Sequence, residues 1–431
     1  MIDFSTVKNI VIPEGEVATI SRKGEILWQK QTAKKYKYEL EYLESTGTQW
    51  INTGMYAPAN TDIEVRFRLN DTAQGAVNNG AIFGGRNGST VQTCTLFYLA
   101  STNPQYFRFD RTGQQQIGAA TEISINANSV YEFSYKNNVI KMMNLTTGEE
   151  VSKTIGSPSS FTTNQLTLFA VSGGTGLKGK IYEWKYWENG VLLQHFIPVL
   201  DFNNVACMYD KVTDELFYNN GTGDFTHGDI VDYTLPNEYQ EVAYLESTGA
   251  QYIDSGIVGG DGITTNISVY RTATSSNECF CGAYDGSHRL WLAYTFGGNW
   301  YRGYNNAAGA MVASTPIEEW VTIKISTNND AVTYNINDVD YSANYTKGFS
   351  AVNNVFLFAM GTNNGANYWG RCRMAYCNLY DNNAIVRAFI PCYRKSDGKP
   401  GMYDLITETF FTNQGTSEFL YASKLLKPFR F

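Results

Sequence analysis

The stretch EYLESTGTQWINTG that begins at Glu41 returns as AYLESTGAQYIDSG from Ala243. The two agree at nine of fourteen positions, and three of the five differences are Trp/Tyr, Asn/Asp and Thr/Ser exchanges. A near-copy about two hundred residues downstream means two examples of one domain rather than a single large core. The closing segments repeat too. FIPVLDFNNVACMYDKVTDELFYNNGTGDF from Phe196 matches FIPCYRKSDGKPGMYDLITETFFTNQGTSEF from Phe389, and YEWKYWENGVLLQHFIP parallels AYCNLYDNNAIVRAFIP just upstream. In those upstream pieces Glu188-Asn189-Gly190 and Asp381-Asn382-Asn383 supply residues that tolerate φ > 0 in a tight hairpin.

Between these landmarks run alternating segments such as TDIEVRFRL, YEFSYKNNVIKMMNL and WVTIKIS, separated by Gly, Asn, Ser and Thr turns. With 30 Tyr, 24 Phe and 39 Gly against only 17% charged residues, the chain has the composition of strands and turns, not of charged surface helices. About a dozen strands per unit are expected, which is the scale of an all-β two-sheet sandwich. The partition is 1–30 as a small N-terminal β-meander, 31–37 as a linker, 38–228 and 238–420 as the two sandwiches, 229–237 as the joint between them, and 421–431 as a basic, apolar tail. The meander is read as three short strands near 7–12, 16–21 and 25–29. Its apolar residues, among them Ile10, Ile12, Val17, Ile20, Leu27 and Trp28, are too many for so short a sheet to bury on itself, and are expected to dock on another surface.

Charge narrows the partners. A formal net charge of −8 lacks the basic footprint that nucleic acid or an anionic membrane normally requires. No apolar run approaches the roughly 18 residues of a membrane span. Seven cysteines is an odd number and no basic, apolar leader opens the chain, so free thiols are expected. Cys279 and Cys281 should share a strand face, while Cys372 and Cys377 should face opposite ways. No CxxC pair with a nearby histidine completes a zinc tetrahedron.

At this point the opening and closing motifs resemble the concanavalin A-like, laminin-G-type jelly-roll domains of phage and prophage structural proteins. The resemblance covers most of the chain and is cleaner in the second copy, since LDFNNVA in the first replaces YRKSDGKPG. VKNIVIPEGEVATISRKGEILW is similar to the short attachment modules that begin tail-associated phage proteins. The resemblance implies tandem jelly rolls in a virion protein made in the bacterial cytoplasm. It implies attachment to other virion proteins through the N-terminal segment, recognition of host surface carbohydrate, and a homo-oligomer. Calcium, which laminin-G-type domains sometimes hold, would draw on carboxylates such as Asp285 and Asp261, but no EF-hand-like string is present.

No catalytic pattern stands out. Glu39, Glu41 and Glu44 in YELEYLE read as a solvated strand edge, and His195, His227 and His288 are scattered. GTGLKG, from Gly174, fits GxGxxG but is followed by KIYEWKYW, a strand, so no helix N-terminus receives a pyrophosphate. Stacking of sugar rings on aromatic side chains is the chemistry this composition can supply. The candidate residues are Trp291, Tyr294, Trp300, Tyr301, Arg302 and Tyr304 in HRLWLAYTFGGNWYRGYNN. In the first copy they are Tyr98, Tyr106, Arg108 and Phe109, aligned by setting Phe107-Arg108 against Tyr301-Arg302. Alternate members of such a hairpin must point inward.

Overall fold

A computed structural model describes residues 19–22, 25–29 and 34–423, apart from 71–79, 89–91, 100–101, 103–104, 112, 159–160, 173–175, 274–276, 313–317 and 329. Every regular element among the described residues is a strand. Each unit contributes eighteen of them, more than the dozen expected because the unit ends break into short pieces.

The units are two-sheet jelly-roll sandwiches, antiparallel except where Asn277–Tyr284 pairs in parallel with Met360–Thr362, and their large sheets share one strand order. In the first, the larger sheet runs Glu150–Thr154, Val139–Asn144, Val130–Lys136, Thr61–Leu69, Lys178–Glu188, Val191–Leu200, Ala206–Asp210 and Glu215–Phe217. In the second it runs Val339–Asn344, Ala331–Ile336, Trp320–Asn328, Ile263–Arg271, Arg371–Asp381, Ala384–Arg394, Pro400–Asp404 and Thr409–Thr412, with Tyr239–Thr248 inserted before Ala384. Facing each is a smaller sheet. One is centred on Gly80–Arg86 and Thr93–Leu99, the other on Asn277–Tyr284 and Arg289–Phe296.

Alternation builds the sandwich. In Thr61–Leu69 every second residue is buried, so Ile63, Val65, Phe67 and Leu69 enter the core while Asp62, Glu64, Arg66 and Arg68 face out. Rings then bridge the layers: Phe83 lies 5.1 Å from Trp184, and Phe67 lies 5.6 Å from Phe107. In the second unit Tyr334 of the large sheet donates its hydroxyl to the Trp291 carbonyl of the small sheet at 3.0 Å. The hairpins expected at Asn189-Gly190 and Asn382-Asn383 form with positive φ at all four residues.

The repeated motif is a latch between the beginning and end of each unit. Ser45 Oγ donates to the Gln49 side chain at 3.1 Å, the Thr46 amide donates to the same Oε1 at 2.9 Å, and Gly47 takes φ 108°. Ser247, Thr248, Gly249 and Gln251 repeat the arrangement, with Thr248 N to Gln251 Oε1 at 2.9 Å. The glutamine amide then reaches the closing segment, Gln49 Nε2 donating to Asp224 O at 3.1 Å and Gln251 Nε2 to Glu418 O at 3.3 Å. Gly221 and Gly415 lie so close to the motif that an added Cβ would sit 2.0 Å and 2.1 Å from the carbonyls of Thr48 and Ala250. The next core residues, Phe225 and Phe419, pack at 5.0 Å and 4.7 Å on Phe169 and Phe358, both held at φ 64°.

Several expectations are refined. The joint at 229–237 is partly a strand, since Ile230–Asp232 pairs with Tyr38–Leu40 and closes the first unit. Leu420–Ser423 pairs with Tyr239–Thr248 in the same way, so the second unit extends past 420. Of the meander, Thr19–Arg22 and Glu25–Gln29 form a hairpin in which Ile20 pairs Trp28. Ile10, Ile12 and Val17 lie outside the described residues, as does the tail from Lys424. Both cysteine facing predictions fail because β-bulges reset the alternation. Cys279 packs outside with Tyr294 and Met360 while Cys281 is in the core, the register shifting between them. A shift opposite Ser268 and Val269 brings Cys372 and Cys377 to the same core. All seven thiols are buried, and burial pushes Cys207 and Cys392 up to about 12, which leaves them unreactive.

The units are packed together. Ile385, Ala388, Ile390 and Leu405 join the apolar cluster that holds Tyr38, Leu40 and Ile230. Tyr38 donates its hydroxyl to the Leu405 carbonyl at 3.0 Å, and Lys37 pairs with Glu408 at 2.9 Å.

Candidate functional site

The aromatic hairpin divides as alternation requires. Trp300 and Tyr304 are core residues of the second unit, Trp300 edge-on to Phe280 at 5.6 Å and Tyr304 hydrogen-bonded to Ile263 O at 3.1 Å. Trp291, Tyr294 and Tyr301 face the other way and gather with Tyr284 and Tyr368 on the outer side of the small sheet. There Trp291 lies across Gly303, where a Cβ would meet the indole at 2.3 Å, and its ring is 4.7 Å from Tyr294. Tyr294 is itself buried, and desolvation raises its hydroxyl well above the usual range. Arg302 is half-buried beside Gly309 and near Tyr334.

In the first copy Tyr98 and Phe109 are core residues. Tyr106 and Arg108 lie on the outer side with Phe97. Arg108 is occupied, pairing with Asp110 at 2.9 Å and covering the Phe97 ring at 5.0 Å. Phe107 points into the core where Tyr301 points out, so setting Phe107 against Tyr301 is one residue out of step in facing. The candidates are therefore divided between the two cores and the outer faces of the small sheets, with Trp291, Tyr294 and Tyr301 together on the second unit's outer face.

A hollow does form at the junction of the units, where a cleft of about 540 Å³ opens. One side carries Glu41 and the closing segment Asp229–Val231, and the other is the outer face of the second unit's large sheet. In register across that sheet Asn335, Lys324, Asn266 and Asn378 make one row, with Trp320, Thr322, Ser268 and Tyr376 beside it. Asparagine is depleted in strands because its side chain competes for backbone hydrogen bonds. Three of them in a single row therefore call for a reason beyond folding the sheet.

Part of that reason is the closing segment. Asp229 accepts from Asn378 Nδ2 at 2.8 Å, and also from Asn266 and from the Tyr380 hydroxyl. Tyr376 donates to Asn266 Oδ1 at 3.2 Å, completing a polar chain along the cleft floor. Asp229 is thereby fully engaged. Trp320, Lys324 and Glu41 also line the cleft; Lys324 and Glu41 are exposed, while Trp320 packs 5.5 Å from Tyr270.

Glu41 is reached by solvent yet enclosed by the cleft walls. Desolvation and then the Asp229 charge raise its carboxyl above the usual carboxylate range, against the opposing pull of Lys324, Lys180 and Arg68. It is thus a cleft residue and not the open strand edge read from the sequence. Its neighbours in that reading have structural partners: Glu39 accepts from Tyr36 at 2.6 Å and Glu44 from Asn70 at 2.6 Å. The chemistry that the cleft lining offers a hydroxyl-rich ligand is the aromatic rings of Trp320 and Tyr376, asparagine amides, the Lys324 ammonium and the Glu41 carboxyl.

The remaining candidates are committed elsewhere. Asp285 accepts from the His288 ring at 2.8 Å and from the Ser287 amide at 2.8 Å. Asp261 accepts from the Tyr345 hydroxyl at 2.8 Å and the Gly348 amide at 2.9 Å. His195 sits in a surface ion-pair ladder, 2.7 Å from Glu183. GTGLKG leads into the strand Lys178–Glu188, as the sequence reading required, although residues 173–175 lie outside the described ones.

No protein-family model and no curated protein matches the chain. Solved structures do. The mouse laminin alpha1 chain, domains LG4-5, is 12% identical with a TM-score of 0.28, over 84% of this chain and 96% of that one. The LG1-3 region of the laminin alpha2 chain is 9% identical with a TM-score of 0.27, over 84% of this chain and 67% of that one.

Proposed function

We propose that this chain is a non-enzymatic virion protein of a bacteriophage that recognises host cell-surface carbohydrate through the cleft between its two jelly rolls. The observation that carries the binding role is the cleft wall, where Trp320 and Tyr376 alternate with Asn266, Asn378 and Lys324 in a hollow of about 540 Å³. Aromatic faces pack on the apolar face of a pyranose while amides and charged groups fix its hydroxyls, and ligand pockets are commonly of this size. The phage setting is supported by the resemblance of the paired motifs and of the N-terminal segment. In this reading residues 1–30 attach the protein to the virion, and several copies on one particle turn weak contacts into avidity. Glycan cleavage calls for a pair of carboxyls, and a non-catalytic role is supported by Asp229, the carboxylate acting on Glu41, which is saturated by Asn266, Asn378 and Tyr380 and so is not poised to attack or deprotonate.

The test is retention of the purified chain on envelope polysaccharide from candidate host strains. Retention that free polysaccharide competes away supports the reading. Failure on every strain, with particles lacking the protein adsorbing normally, would leave it a structural component of the virion. Release of new reducing ends would make it an enzyme. Removal of residues 1–30 should abolish incorporation into particles while both sandwiches stay folded.

A further inference from the structure

We propose that a groove beside the second copy of the repeated motif is a separate binding site for a neutral hexopyranose. The groove has a volume of about 410 Å³ and is lined by Gly249, Ala250, Tyr252, Trp369, Gln414 and Thr416 among others. Tyr252 and Trp369 are partly buried and meet edge-to-face at 5.6 Å, and Tyr252 is backed by Phe356, stacked at 4.8 Å. Both rings are fixed before any ligand arrives. The backbone of Tyr252 is held by Asn413 Oδ1 at 3.0 Å and by the Gln414 amide at 2.9 Å, so the motif latch forms the floor. Trp369 is held by its parallel bridge to Cys279, between the bonds Cys279 N to Tyr368 O at 2.7 Å and Gly370 N to Phe358 O at 2.8 Å.

The first unit shows that the fold does not require this tryptophan. Gly176 makes the same parallel bridge, to Ala81, and the following Leu177 bonds Phe169 as Gly370 bonds Phe358. At Gly176 an added Cβ would sit 2.5 Å from the Gly47 carbonyl oxygen, so the chain there lies directly on the motif turn. The second unit places the largest side chain where the first tolerates none, and it does so beside an otherwise duplicated turn. This partly buried indole is an addition that the shared turn does not require, and it gives a ligand an aromatic surface beside Tyr252.

The chemistry of the lining selects the class. It offers the rings of Tyr252 and Trp369, an exposed amide and hydroxyl from Gln414 and Thr416, and backbone groups of a glycine-rich turn. Among the described residues no charged side chain lines the groove; Arg371 packs against Gly249 but is not part of the lining. A charged sugar would find no counter-charge in the lining itself, whereas a neutral pyranose finds aromatic rings and uncharged hydrogen-bonding groups there.

The experiment is a nuclear magnetic resonance titration of the full chain, following the indole N–H signals, with Trp369 assigned by its loss in Trp369→Phe. Glucose, galactose, mannose, N-acetylglucosamine and glucuronate are added in turn. At least one neutral sugar should shift the Trp369 signal saturably at millimolar concentration, and Tyr252→Ala should weaken that response about tenfold. Trp320→Ala in the junction cleft should leave it unchanged, so failure of this site and failure of the cleft are read separately. Undisturbed signals from the other tryptophans show that the variants are folded. The proposal is overturned if no neutral sugar moves the signal, if glucuronate moves it equally, or if Trp320→Ala abolishes the response.

Discussion

Asp229, from the segment that closes the first jelly roll, accepts a hydrogen bond at 2.8 Å from Asn378 on the outer sheet face of the second. The two units are thus joined by a specific polar lock as well as by the shared apolar cluster around Tyr38 and Leu405. The lock forms the floor of the junction cleft, so the shape of the cleft depends on it.

Asp229→Ala should leave Asn266, Asn378 and the Tyr380 hydroxyl without their acceptor, at a cost of about 1–3 kcal/mol per donor left unsatisfied. Solvent reaches the cleft, so the lower end is expected. In calorimetry a single unfolding transition in the parent should broaden or split as the units uncouple.

The latch made by the repeated motif predicts that Gly415→Ala destabilises the second unit. Its methyl would sit 2.1 Å from the Ala250 carbonyl, and overpacking of this kind costs about 1–3 kcal/mol or more. Gly221→Ala should do the same in the first unit. Urea midpoints read the change, and a neutral result at both positions would remove the latch from the account.

Arg271 and Glu278 form an ion pair at 2.9 Å with side chains 1% and 0% exposed. Glu278→Ala should therefore cost about 3–5 kcal/mol, because it removes one partner of a buried ion pair. Replacing both residues by apolar ones should recover part of the loss, as a double-mutant cycle measures.

Acid should weaken the first unit through Glu183. The His195 hydrogen bond and Lys185 hold its carboxyl at about 2, below the ordinary 4.5, against the opposing effect of burial. A depressed folded-state value means that this stabilisation is complete above the ordinary value and is lost as pH falls from about 4.5 towards 2. Glu183→Gln should flatten the decline in unfolding free energy over that window.

Much of the architecture was legible in the residues. The duplicated ends mark two units, and period-two segments such as TDIEVRFRL form strands in which every second residue is buried. Facing was lost wherever a bulge intervened, as between Cys279 and Cys281, because an inserted residue leaves no mark in local sequence. The boundary at 228 was short because the polar DIVD reads as a joint although it pairs with YEL. The cleft was out of reach for a different reason. Glu41, Asp229, Lys324 and Asn378 are far apart along the chain and meet only through the packing of two units. One signal was available: Lys324 and Trp320 alternate outward in WVTIKIS, and strand asparagines at 266, 335 and 378 sit poorly with a purely structural sheet.

The most direct test of the central claim is the affinity of the full chain for host envelope polysaccharide, measured by calorimetry for the parent and for Trp320→Ala, with melting temperatures recorded alongside. Loss of the indole from the cleft wall should weaken binding about tenfold or more while the melting temperature changes little. Unchanged affinity in the folded variant would contradict the assignment of carbohydrate binding to the junction cleft.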